Sequence, residues 1–179
     1  GKNEEENIKF WRLAASEYEK CMNIYNSVND VHRVCEIASK LADIHSSHLY
    51  NDPDSYEKAM KYYQLCLQNY KSIGSALGEG TALNNIGYVF NEQKKYSYAL
   101  DYYQKSAAIS REVLKDPYEE ALTLYNIGVV TNIQGKLDEA LQYYEKAIEL
   151  LEKAKVLSLS GKMCNELLRI YKQRGQKEL

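Results

Sequence analysis

Two asparagines stand at the same place in two copies of one short pattern. Asn85 and Asn126 lie 41 residues apart, and each comes directly before an Ile-Gly pair. A carboxamide offers two donors and an acceptor, so it suits both the C=O and the N–H of an extended peptide backbone. The same side chains could instead solvate a helix face or bond their own helix, because Asn competes for nearby backbone groups. We favour the peptide-binding interpretation.

Residues suited to catalysis are few. His45 and His48 are three residues apart and could hold a metal ion together with Asp52. The sequence contains no His-Glu-x-x-His, no Gly-x-Ser-x-Gly and no phosphate-cradling glycine-rich loop. We therefore expect no enzymatic activity, no cofactor and no metal site.

The segments that must position the asparagines are repeated. A five-residue segment that begins with Ala and ends with two Tyr recurs at intervals of 40 and 41 residues, starting at Ala59, Ala99 and Ala140. Gly87 and Gly128 stand twelve residues before the second and third copies. Within each segment the apolar and small residues are three or four apart, which is a helical interval. A fixed period of this length predicts stacked pairs of antiparallel helices.

We name the helices with the Gly A helices and those with the Ala-Tyr pattern B helices. Small residues are expected where two helices approach closely, and a large ring four residues away fills the wider gap. Because Gly inside a helix costs about 1 kcal/mol relative to Ala, Gly87 and Gly128 must be compensated by tight packing.

This pattern resembles the tetratricopeptide repeat, with Leu-Gly-x-x-Tyr on its first helix and Ala-x-x-x-Phe-x-x-Ala on its second. The matching residues of the two central units are Ile86, Gly87, Phe90, Ala99, Tyr103 and Ser106, then Ile127, Gly128, Ala140, Tyr144 and Ala147. Thr131 departs from the motif, which has an aromatic residue there. The period is about six residues longer than the common 34-residue form. In this it is similar to kinesin light chains, spindle-orienting polarity adaptors and bacterial receptors for signalling peptides.

The resemblance implies an all-α fold, a right-handed α-solenoid of antiparallel helix pairs with about eight helices. We predict one domain over 1–179, with a half-unit B helix at 7–27, repeats at 30–72, 78–114 and 117–155, and a terminal helix at 159–174. Because it opens and closes on half-units, we expect a fragment of a longer protein. Asp54 and Asp116 are predicted N-caps, and Gly135 and Gly175 are predicted helix stops.

In such a fold the A helices line a concave groove, and the resemblance implies that an asparagine directly before the Leu-Gly pair holds bound peptide. The predicted groove residues are Asn84, Asn85, Tyr88, Asn91, Tyr125, Asn126, Val129, Asn132 and Ile133. A charged edge is predicted at Lys40, Arg169 and Lys172, where mixed charge also fits an ordinary solvated face. The inner positions of the two central A helices hold no Lys or Arg, so we expect no clamp for a C-terminal carboxylate.

Composition restricts the partners. The formal net charge is -2, which argues against nucleic acid or an anionic membrane as the main partner. No apolar run approaches the roughly 20 residues that a membrane-spanning helix needs. The cysteines at 21, 35, 66 and 164 form no Cys-x-x-Cys pair. We interpret them as reduced thiols in an intracellular, cytoplasmic protein.

Three functions stay open at this point. The first is a non-enzymatic scaffold or adaptor that binds an extended peptide segment of a partner protein in the groove. The second is a peptide-sensing regulatory module attached to an output domain. The third is a self-associating assembly scaffold, because apolar faces at the ends of a helical stack invite contact with a second copy.

Overall fold

The computed structural model describes residues 2–49, 54–155, 161, 163–165, 168–170, 172 and 175. The α-helices with defined bounds are α1 (Lys2–Ser27), α2 (Val31–Asp43), α3 (Ser55–Ser72), α4 (Ala76–Glu92), α5 (Tyr96–Ala108), α6 (Pro117–Ile133) and α7 (Leu137–Lys153). Two π-helical segments, Ile44–His48 and Ile109–Leu114, continue α2 and α5. No strand occurs in this described part, so the all-α class is confirmed there.

The chain divides within α4 into two compact units, Gly1–Val89 and Phe90–Leu179. In the first unit, α2 packs against both α1 and α3. Its core includes Leu41 and Ile44, with Trp11 and Tyr18 of α1 packed against them. The amphipathic spacing of α2 places one apolar face toward both neighbours.

In the second unit, α6 packs against both α5 and α7. Its core joins Tyr103 of α5, Leu124 and Ile127 of α6, and Leu151 of α7. A three-residue connection at 134–136 separates α6 from α7, so the two helices run antiparallel. The predicted packing of sequence neighbours as antiparallel helix pairs is confirmed within each unit.

The backbone of the turns repeats with the sequence. Positive φ values occur after B helices at Asn29 (55°), Gly74 (68°), Lys115 (53°) and Lys155 (58°), and after A helices at Lys94 (59°) and Gly135 (79°). Gly135 therefore ends its helix in the left-handed conformation, as predicted. Three of these six positions are lysines, although the left-handed region favours Gly.

Several predicted boundaries need correction. The helix predicted at 7–27 begins at Lys2, because Glu4 and Glu5 in its first turn suit the positive end of the helix dipole. Asp54 takes the N-cap position of α3 without a side-chain capping bond. Gly175 is itself helical, so it is not the first residue beyond the last helix.

The terminal helix predicted at 159–174 lies partly outside the described residues. Its described positions, 161, 163–165, 168–170 and 172, are helical. Met163 and Ile170 from this segment are buried in the core of the second unit.

Candidate functional site

The second unit carries five of the predicted groove residues on α6. This helix begins where Asp116 Oδ1 accepts hydrogen bonds from the backbone N–H groups of Tyr118, at 2.9 Å, and Glu119, at 3.4 Å. Pro117 occupies the first helical position, where a missing N–H costs nothing. The predicted N-cap is confirmed, and it fixes which side chains α6 presents on each face.

One face of α6 is buried against α7. Gly128 lies under the ring of Tyr144, and a Cβ at Gly128 would stand 2.7 Å from Tyr144 Cε1. The predicted close approach of the two helices at Gly128 is therefore confirmed. Ala121, Ile127 and Thr131 share this buried side.

Thr131 explains how the chain tolerates its departure from the aromatic position of the motif. The residue is buried, and its Oγ1 donates a 2.7 Å hydrogen bond to the backbone O of Ile127. The hydroxyl is thereby satisfied inside its own helix, which is the local bond that Thr commonly makes.

The adjoining face of α6 is only half buried. Asn126 and Asn132 are half-buried, and Ile133 is 53% exposed. Tyr125 and Val129 pack partly against the buried cluster of Leu141, Tyr144 and Ile170, with the rings of Tyr125 and Tyr144 5.5 Å apart. Those two predicted groove residues therefore also pack in the core of their own unit.

The equivalent residues of α4 are described within the first unit. Asn84, Asn85 and Tyr88 are half-buried, whereas Ile86 and Val89 on the adjoining face are fully buried. Asn85 thus has the same intermediate burial as Asn126, and each precedes a buried Ile.

Asn91 lies on the last turn of α4, which belongs to the second unit. Its Oδ1 is enclosed and has no hydrogen-bond partner among the residues that the structure describes. Its backbone O accepts a 2.8 Å bond from the Lys94 N–H and so helps to form the turn after α4. This position therefore contributes to the helix end whatever its role toward a ligand.

The three residues of the predicted charged edge are exposed. Lys40 Nζ is 2.9 Å from Glu36 Oε1 on the same helix. The hydrogen bond and charge of Glu36 raise the pKa of Lys40. An i, i+4 pair on a solvated face is the ordinary arrangement. Arg169 and Lys172 are exposed helical residues.

The two histidines that we considered as possible metal ligands lie beside aromatic rings. The His48 ring stacks on Trp11 with centroids 3.8 Å apart, and the buried His45 ring lies 6.0 Å from the ring of Tyr62. Asp52, the third ligand of that interpretation, lies outside the described residues. Within the described part of the chain, no group of three His, Cys, Asp or Glu side chains is placed to hold a metal ion.

Two features were missed by the sequence analysis. Glu120 is buried in α6, with Arg111 Nη1 at 3.6 Å and Lys146 Nζ at 4.0 Å from its Oε1. A glutamate in the first two turns of a helix gives no sequence signal of burial. The other feature is an open pocket between α1 and α3. Its lining residues are Glu19, Met22, Asn23, Lys61, Tyr62, Gln64, Leu65 and Gln68.

Comparison with known proteins supports the repeat assignment. The sequence profile of the tetratricopeptide repeat matches residues 78–153. A search of curated proteins finds no match by sequence. Among the described helices, none is long and apolar enough to cross a bilayer.

Two solved structures are similar in fold. BtubC from P. vanneervenii matches at 14% identity with a TM-score of 0.50, covering 97% of this chain and 90% of that one. The TPR-like repeats of a candidate kinesin light chain from Podospora anserina match at 14% identity with a TM-score of 0.54, covering 94% and 89%. At this identity the similarity shows the fold alone.

Proposed function

We propose that this chain, whose residues 78–153 match the tetratricopeptide repeat, binds an extended peptide segment of a partner protein through the A-helix faces that carry Asn85 in the first unit and Asn126 in the second. The fold is that of a protein–protein interaction scaffold. Such repeats present long surfaces built from many equivalent helices and serve binding rather than catalysis. The proposal adds which residues make the contact and what they recognise.

The observation that carries the proposal is the matched burial of the two asparagines. Asn85 on α4 and Asn126 on α6 are both half-buried, and the helix face beside each is closed by packing. A polar side chain at the border between core and solvent loses less water on binding than a fully exposed one. It also has less rotamer freedom to lose.

The chemistry of the carboxamide fits a peptide backbone. Its NH₂ group donates to a backbone C=O, and its oxygen accepts from a backbone N–H. Neither bond depends on the side chain of the bound residue, so one asparagine per repeat holds the strand without dictating its sequence. Specificity must then come from neighbouring side chains.

Apolar groups beside Asn126 supply that selection. Ile133 is exposed on the last turn of α6, and Tyr125 and Val129 are half-buried near the asparagine. Aromatic and aliphatic anchors usually contribute most of the affinity at such surfaces. On α4, Tyr88 occupies the same repeat position as Val129, directly after the Ile-Gly pair. We therefore propose a ligand with apolar side chains spaced along an extended segment.

Peptide display tests this function and does not require an identified partner. Linear peptides are selected for binding to the wild-type chain, and each is then measured by calorimetry against three proteins. These are the wild type, the Asn85→Ala/Asn126→Ala variant and a matched control, Gln104→Ala/Gln142→Ala. The control removes two exposed carboxamides from the B helices α5 and α7.

We expect the asparagine variant to bind more weakly by about 1 to 3 kcal/mol, the usual effect of leaving a buried polar group unpaired. The glutamine variant should bind like the wild type, and both should keep the wild-type helical content. Selected peptides that bind the asparagine variant as tightly as the wild type would overturn the proposal, and so would a selection that yields none.

A further inference from the structure

The pocket between α1 and α3 lies wholly within the first unit, between two successive B helices. Its volume is about 440 Å³, which is within the range of pockets that hold small ligands. Met22, Tyr62 and Leu65 are its half-buried lining residues, and all three pack against the core cluster that contains Cys35 and Cys66. The pocket therefore has a largely apolar floor that the core holds in place.

The internal repeat shows which side of α1 this pocket uses. On α3, Tyr63 and Cys66 form hydrogen bonds to α2, the A helix that precedes it. The same repeat positions on α1 are Tyr18 and Cys21, and neither of them lines the pocket. The pocket lies instead on the side of α1 that faces α3. It is thus formed between two described helices, wherever the protein begins.

The two walls of the pocket carry opposite charges that do not pair. Glu19 lines it from α1 and Lys61 from α3. Within the described part of the chain, neither side chain forms an ion pair, with the other or with any third residue. Exposed charges elsewhere on these helices do pair, as Lys40 does with Glu36. An ammonium and a carboxylate therefore face one cavity without a counter-ion.

A hydrogen bond holds the carboxylate of Glu19 in position. Its Oε1 accepts a 2.7 Å bond from the Tyr62 hydroxyl. Burial and this bond to Glu19 raise the pKa of Tyr62, so the hydroxyl stays protonated and continues to donate. The negative wall of the pocket is therefore fixed by a residue of the opposite helix.

The rim of the pocket is built from carboxamides. Asn23, Gln64 and Gln68 are exposed lining residues, and none of them makes a hydrogen bond to another described residue. Each offers two donors and an acceptor, which match the C=O and the N–H of a peptide group. The lining thus combines a positive group, a negative group, free amides and an apolar floor.

We propose that this pocket binds a free dipeptide with apolar side chains. The terminal ammonium of the ligand pairs with Glu19 and its terminal carboxylate with Lys61, while the peptide group lies against the carboxamide rim. The ligand side chains cover Met22 and Leu65 on the floor. A single amino acid has no peptide group for the rim. A longer peptide moves its two charged ends apart by about 3.3 to 3.6 Å for each added residue.

This site is separate from the peptide surface proposed above. It lies between B helices of the first unit, whereas Asn85 and Asn126 are on A helices. The ligand also differs, because this pocket requires both free termini of a short peptide and not a segment within a longer chain.

Calorimetry with leucylleucine tests the proposal. Glu19→Gln and Lys61→Met each remove one charge and keep much of the side chain, so each should weaken binding about tenfold, the usual effect of losing a charge-assisted hydrogen bond. The matched control is Glu17→Gln/Lys58→Gln, which neutralises two exposed charges on the same helices outside the pocket. It should bind like the wild type, and so should Asn85→Ala/Asn126→Ala.

Modified ligands identify which terminus meets which wall. Acetylation of the ligand's amino group should weaken its binding to the wild type, and Glu19→Gln should then cause no further loss. Amidation of the ligand's carboxyl group should behave in the same way toward Lys61→Met. Such non-additive losses are the sign of a direct contact. This part of the test also measures the unaltered protein, so it does not depend on the folding of any variant.

Methionine methyl signals locate the ligand on the wild-type chain. The sequence has three methionines, at positions 22, 60 and 163, and only Met22 lines the pocket. In a ¹³C-methyl-methionine spectrum, leucylleucine should shift the Met22 signal in a saturable way and leave those of Met60 and Met163 in place.

Four results would overturn the proposal. Leucylleucine could fail to bind the wild type, or it could bind without moving the Met22 signal. Free leucine or the acetylated, amidated dipeptide could bind as tightly as leucylleucine. Finally, both charge-removing variants could bind like the control variant, which would show that the opposite charges take no part.

Discussion

Gly128 and Tyr144 pack so closely that no other residue type fits at position 128 without moving the ring. An added Cβ would stand 2.7 Å from Cε1 and 2.9 Å from Cδ1 of Tyr144. Tyr144 is fully buried and cannot swing into solvent. This contact sets how closely α6 and α7 approach each other. Asn126, two residues before Gly128 on α6, lies on the adjoining half-buried face.

Gly128→Leu should destabilise the protein by about 1 to 3 kcal/mol, the usual cost of overpacking a core. Thermal or urea unfolding measures this. Gly161→Ala is the matched control, because Gly161 is helical and an added Cβ there meets nothing within 4 Å among the described residues. It should gain stability by up to about 1 kcal/mol from helix propensity. An unchanged melting temperature for Gly128→Leu would mean that the helices do not meet there.

The turns give a reciprocal pair of substitutions. Lys94 and Gly135 occupy equivalent turns, where their N–H groups donate to Asn91 O at 2.8 Å and Asn132 O at 2.9 Å. Both have positive φ. Because only Gly adopts this conformation without steric cost, Lys94→Gly should stabilise and Gly135→Lys should destabilise, each by about 1 kcal/mol. Urea unfolding checks both, and equal signs for the two changes would contradict this explanation.

The two aspartates at helix starts differ in a measurable way. Asp116 accepts two backbone hydrogen bonds at the start of α6, whereas Asp54 makes no capping bond. Asp116→Ala should cost about 1 kcal/mol of unfolding free energy. Asp54→Ala should change it by less than about 0.5 kcal/mol, as is usual at exposed sites. Comparable losses in the two variants would show that local charge, not capping, matters at these positions.

The four cysteines should react in two groups. Cys21 and Cys164 are exposed, and Cys35 and Cys66 are buried. Burial raises the pKa of the Cys66 thiol to about 12 and also raises that of Cys35. Since the thiolate is the reactive form, both buried thiols stay protonated and unreactive near neutral pH. Iodoacetamide followed by mass spectrometry should modify two residues quickly. Fast modification of Cys66 would contradict its burial.

The helices and their pairing could be predicted from the sequence because the repeat signals are redundant. The N-cap at Asp116 and the close approach at Gly128 follow from local rules that act within a few residues. The left-handed lysines could not be predicted from residue type, since Lys has no preference for positive φ. Only the repeat register, which aligns Lys94 with Gly135, could have revealed them.

The candidate site was harder to predict than the fold. Helical periodicity places Asn126 beside a buried face, but it does not say how far its neighbours are covered. The partial burial of Tyr125 and Val129 depends on Ile170, about forty residues away in the chain. The π-helical segments and the buried Glu120 likewise depend on tertiary packing that overrides local preference.

The side-chain amide resonances of Asn85 and Asn126 test the central claim most directly. A selected peptide is titrated into the ¹⁵N-labelled chain, and the NH₂ signals are assigned by the Asn85→Ala and Asn126→Ala variants. We expect both asparagine signals to shift in proportion to peptide occupancy, while those of Gln104 and Gln142 stay fixed. Shifts at the glutamines with the asparagines unmoved would place the peptide on the B helices and contradict the account.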